Sequence, residues 1–153
     1  MEIKERVEAQ NLVWPETAPA ALANYVTVRR SDNLLFLSGA GPFVDGKQIY
    51  KGRLGKEVSM EGGKEAAKIA VINLLSMIYW ELGSLENVRI IKLLGFVNST
   101  EDFFEQPFVI DAASDLLVEL LGENGRHARS AVGTSVLPFN IPVEIEMIAE
   151  IGN

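Results

Sequence analysis

Near the C-terminus, Arg129-Ser130-Ala131-Val132-Gly133 leads through a Leu137-Pro138 turn into Val143-Glu144-Ile145-Glu146-Met147. The alternation of apolar and polar residues predicts two strands joined by a short connection. Side chains alternate across a strand, so Glu144 and Glu146 ride one face of the second strand, while a single guanidinium opens the first. Each element has a plain reading by itself. An Arg at a strand start is most often a surface cation or half of an ion pair, and Val-Glu-Ile-Glu-Met suits any half-wet strand. Together they suggest more: an Arg fork grips a carboxylate at two points, as Lys cannot, and a nearby Glu can handle a water or a proton. The pairing points to a site for a small organic acid.

Working outward, Tyr25 to Arg30 and Leu34 to Gly39 read as two strands around the Ser31-Asp32-Asn33 turn, after a polar N-terminal stretch. Asp45-Gly46 is a turn signal, with Gln48-Ile49-Tyr50 a short strand after it. Ser59 suits a helix N-cap, and from Met60 to Leu82 the residues Ala66, Ala67, Ala70, Val71, Leu74, Leu75, Ile78 and Leu82 recur at helical steps before Gly83. Val88 to Val97 follows as a strand and Gln106 to Leu121 as a second helix, with strands near Arg129 to Val136 and Val143 to Ile151 at the end. The order β-β-α-β-α-β-β predicts one α+β domain over residues 1–153, a mixed sheet with two helices on one face.

In the last strand, Val143, Ile145 and Met147 should face the helices and Glu144 the other side. For the preceding strand, hydropathy turns Val132, Thr134 and Val136 to the helices and leaves Arg129, Ala131 and Gly133 opposite. Arg129 and Glu144 would then share the helix-free face. If the two strands run antiparallel as neighbours, their starts lie at opposite ends, about five residues apart at ~3.3 Å each. One small substrate cannot span that gap within one chain.

Composition narrows the chemistry. With no cysteine and His127 as the only histidine, neither thiolate catalysis nor a Cys/His metal centre can be assembled. A net charge of −7 disfavours nucleic acid, whose phosphates need clustered Lys and Arg. No apolar run reaches the length of a membrane span and the first residues lack a signal-peptide layout, so the expected location is cytoplasmic. Ser38-Gly39-Ala40-Gly41-Pro42 lacks the Lys and following helix of a phosphate loop.

Two blocks at opposite ends, Ala18-Pro19…Tyr25…Leu37-Ser38-Gly39…Gly41-Pro42 and Ala128-Arg129-Ser130…Leu137-Pro138…Val143-Glu144-Ile145-Glu146, carry a resemblance to the RidA/YjgF family of reactive-intermediate deaminases. The chain is longer than typical members. The resemblance implies a chorismate-mutase-like fold, association as a trimer with sites between subunits, and hydrolysis of 2-imino or enamine acids to ammonia and 2-oxo acids without cofactor or metal. It implies Arg129 as the carboxylate clamp, Glu144 as the residue handling water or a proton, and Tyr25, Ser38, Gly39 and Ala131 as substrate-binding positions.

Three positions depart from the family pattern. Ala131 stands where many active members have Cys, His127 where Pro is common, and Asp111 where an Asn is aligned. A carboxylate close to an anionic substrate is unfavourable, so Asp111 either points away or selects a different ligand. The alternative to a deaminase is a non-catalytic module that binds 2-oxo acids. RNA cleavage or inhibition of translation, linked to some relatives, fits the acidic composition least.

Overall fold

The computed structural model describes residues 2–152. Strands β1 (Val28–Ser31) and β2 (Leu34–Ala40) form a hairpin, and β3 (Phe43–Val44) and β4 (Lys47–Gln48) a small separate one turning at Asp45-Gly46. Helix α2 (Met60–Leu82) leads to β5 (Val88–Asn98), α3 (Gln106–Leu121), β6 (Ala128–Thr134) and β7 (Val143–Ile151). The N-terminal stretch, expected to be merely polar, holds helix α1 (Ile3–Glu8), anchored by fully buried Val7. Six residues are too few to reveal a helical period.

The ends of α2 lie where the sequence placed them. Ser59 Oγ accepts the N–H of Gly62 at 3.1 Å, and Gly83 adopts φ 79°, the left-handed geometry that ends a helix without a Cβ penalty. Ser59→Ala should lower unfolding stability by about 1 kcal/mol. Urea denaturation would read this as a lower midpoint at unchanged slope, and an unchanged midpoint would mean that the cap contributes nothing.

The main sheet has the order β1-β2-β7-β5-β6. β7 lies between β2 and β5 and is antiparallel to both, and β5 and β6 are parallel through the α3 crossover. The final two strands are therefore not neighbours, as the sequence reading supposed; β5 separates them. Helices α2 and α3 pack on one face over Leu35, Leu37, Ile90, Leu93, Val97, Val143, Ile145 and Met147. The opposite face presents Phe36, Ile91 and Val132 exposed, beside Glu144 and Ile148.

Candidate functional site

The site residues named from the sequence fall into two clusters on opposite faces. The first lies on the open face. Between Leu37, paired with Met147, and Ala40, paired with Ile145, β2 carries one extra residue, a bulge that sets Ser38 and Gly39 beside the start of β7. A Cβ on Gly39 would stand 2.5 Å from Glu144 Oε1, so only glycine lets this carboxylate lie against the strand. Ser38 Oγ donates to the Val26 carbonyl at 2.7 Å, fastening the segment before β1 on which Tyr25 stands half-exposed. The Ser38 O–H is thus committed within the chain, while its oxygen keeps its lone pairs for an incoming donor.

Glu144 is half-buried, and that burial, reinforced by nearby Glu146, holds its carboxyl above the ordinary carboxylate range. Among the described residues no cation or hydrogen bond counters the shift. A carboxyl raised this way exchanges protons more readily near neutral pH than a free one does.

The second cluster corrects the reading of β6. Arg129 points toward α3, not to the helix-free face: its Nη2 donates to Asp111 Oδ1 at 2.7 Å and to the Pro107 carbonyl at 3.3 Å, and Nη1 donates to Ser114 Oγ at 3.1 Å. Half-buried Ala131 is on the same side, and a Cβ on Gly133 would stand 2.7 Å from Gln106 Nε2. Asp111, left open as pointing away or selecting a ligand, is the direct partner of Arg129.

Ser114 and the role of His127 were missed. His127 Nδ1 lies 2.6 Å from the Gly125 carbonyl, which can only accept, so this nitrogen carries the proton. In the neutral ring Nε2 then accepts the Ser114 hydroxyl at 2.9 Å, leaving the Ser114 oxygen's lone pair for Arg129. The available signal was spacing: Asp111 and Ser114 are three residues apart on a helix and so share a face.

The registers locate the clusters relative to each other. Arg129 pairs with Leu93 and Leu93 with Met147, whereas Glu144 pairs with Phe96. The two residues are three rungs apart along the strands and two strands apart across the sheet, roughly 14 Å in all from strand geometry, and they leave opposite faces. The separation along the strands is shorter than expected, but the conclusion that one chain does not bring them together stands. A groove of about 270 Å³ is lined by Asp111 and Asp115 of α3 together with Lys64 and Lys68 of α2. A larger cavity of about 610 Å³, lined by Arg6, Tyr79, Leu85 and Asn87 among others, touches neither cluster. Among the described residues no group of three His, Cys, Asp or Glu side chains is placed to hold a metal, and no helix is long and apolar enough to cross a membrane.

A five-stranded mixed sheet covered on one face by two helices places the chain among the chorismate-mutase-like α+β proteins. The chain belongs to the family described as "YjgF/chorismate mutase-like, putative endoribonuclease", which it matches over residues 4–151. It is 39% identical to protein TCP17 of Trypanosoma cruzi, over 89% of this chain and 86% of that protein. Protein Atu1372 of Agrobacterium tumefaciens, of unknown function, shares 42% identity and superposes with a TM-score of 0.91, over 97% of this chain and 92% of that one. TdcF of E. coli, solved with bound serine, is 23% identical and shares the fold at a TM-score of 0.65, over 89% of this chain and 96% of its own.

Proposed function

We propose that the protein hydrolyses small reactive 2-imino and enamine acids, as a trimer whose sites lie between subunits. The observation that carries this reading is Glu144, a half-buried carboxyl with a raised pKa and, among the described residues, no cation to neutralise it, set against a glycine that leaves it room. A protein that merely bound 2-oxo acids would gain nothing from a second carboxylate facing an anionic ligand. A hydrolase needs such a group.

The reaction is compact. A 2-iminium acid, R–C(=NH2+)–COO−, adds water at the C=N carbon while Glu144 takes the proton that the water loses. The same carboxyl returns that proton to nitrogen, then takes the hydroxyl proton as the C–N bond breaks and the carbonyl forms, and passes it to the departing ammonia, so that a 2-oxo acid and ammonium leave and Glu144 is again a carboxylate. Arg129 supplies the counter-charge for the substrate carboxylate, and positioning does the rest. No covalent intermediate on the protein is required.

The trimer is part of the reading because the two clusters are far apart within one chain, and because the open face shows Phe36, Ile91 and Val132 to water. Packing that face against a second copy buries the apolar side chains and can bring one subunit's Glu144 to another's Arg129. That TdcF was solved with serine bound supports a small amino-acid-like ligand for this fold.

The test is to generate 2-imino acids in situ with an amino-acid oxidase from several amino acids and follow their decay with and without the protein. Faster decay of at least one is the expected result. Unchanged decay across small, branched, aromatic and acidic side chains would leave the 2-oxo-acid-binding module in its place.

A further inference from the structure

The donor count on Arg129 reaches further than its identity. A guanidinium has five N–H donors, and both ways of gripping a carboxylate at two points, end-on through Nη1 and Nη2 or side-on through Nε and Nη2, use Nη2. Here both Nη2 hydrogens are committed, to Asp111 Oδ1 and to the Pro107 carbonyl, and one Nη1 hydrogen is committed to Ser114. The two left over, on Nε and Nη1, lie on opposite edges of the planar group and form no fork. A carboxylate that claims Arg129 at two points must take Nη2 from an acceptor it already has.

Charge leads to the same place. The Asp111 carboxylate 2.7 Å from Arg129 cancels the field that would draw a simple anion. Its side chain is 46% exposed, against 24% for Arg129, so a ligand reaching the guanidinium also meets the carboxylate. The pair presents a positive and a negative end to solvent within one hydrogen-bond length. Its complement is a molecule with the opposite charges equally close together: a carboxylate and a cationic N–H group on the same carbon.

We infer that Asp111 is a specificity-determining residue that reads the substrate nitrogen, so that the site accepts 2-iminium and 2-ammonium acids and discriminates against 2-oxo acids. The inference rests on the reading of Arg129 as the substrate's carboxylate partner. It also assigns the pair a second effect. Hydrolysis replaces the cationic nitrogen by a carbonyl oxygen, which offers Asp111 only lone pairs, so the product loses its hold at the moment it forms.

Alanine and pyruvate are stable stand-ins for substrate and product, differing only at carbon 2, and titration followed by ligand-detected NMR suits weak binding. The intact protein should bind alanine about tenfold or more tighter than pyruvate, the scale of one hydrogen bond to a charged group. Asp111→Asn should bring the ratio to unity or reverse it, chiefly by tightening pyruvate, and Asp111→Glu should retain the preference for alanine. Tighter binding of pyruvate by the unmodified protein would overturn the inference without any variant, as would an unchanged ratio in a folded Asp111→Asn. Arg129→Ala separates the two levels of the argument: if it leaves both affinities intact, the assignment of the site itself fails, not only that of Asp111.

Discussion

Glu144→Gln should remove most of the imine-hydrolysing rate, lowering kcat by about 10²- to 10⁴-fold, the range that a positioned acid–base group contributes. Gln keeps the shape and fills the same space beside Gly39, but it can neither take nor return a proton. The same variant should be no less stable than the original at neutral pH. Because burial and Glu146 raise the Glu144 pKa in the folded state, the native protein holds more protons than the unfolded chain between the ordinary carboxylate pKa and the raised one. Stability therefore falls as pH rises through that window, and above the raised pKa the folded protein bears the full cost of an ionised Glu144. Gln carries no such cost. The activity of the unmodified protein should climb with pH through the same raised pKa, as the carboxylate becomes free to accept a proton, and that limb should vanish with Gln. Rates within a few-fold of the original, measured on a folded variant, would remove Glu144 from the chemistry.

What was legible beforehand follows from where side-chain chemistry, not neighbouring elements, decides the outcome. Ser59 and Gly83 bound α2 because a capping hydroxyl and a left-handed glycine act locally. The faces of β7 were readable because valine, isoleucine and methionine alternate with glutamate. In β6 the same logic failed. Hydropathy assigns Val132 to the core, but Val132 is exposed and Arg129, Ala131 and Gly133 lie toward α3. Polar partners on α3, not hydropathy, hold the inward face: Asp111, Ser114 and the Pro107 carbonyl all accept from Arg129 at the edge of the sheet. Strand order was hidden for a different reason. Consecutive strands usually pair, but the α3 crossover makes β6 parallel to β5 on its outer side and leaves the inner side of β5 for β7. The Asp111–Arg129–Ser114–His127 chain was the least legible of all, since it joins a helix and a strand whose register no local pattern records.

Arg129→Ala and Glu144→Gln, each inactive alone, should restore activity when unfolded together and refolded as mixed trimers. The geometry leaves little choice if both residues serve one reaction. They leave opposite faces of the sheet, three rungs and two strands apart, and a 2-imino acid with a short side chain is smaller than that gap. A shared site needs Arg129 from one subunit and Glu144 from the next. In a cyclic trimer every boundary is equivalent, so with random equal mixing each requires an intact Arg129 on one side and an intact Glu144 on the other. Each condition is met half the time, and recovery should approach about a quarter of the original activity. A double variant carrying both changes in one chain, mixed with unmodified protein, serves as the control, because it also leaves about a quarter of the boundaries complete. Differently tagged subunits purified in sequence would show that mixing has occurred. Mixed trimers that stay as inactive as either parent would place both residues in the service of a single chain, and the site would then have to form by a rearrangement of β6 against α3.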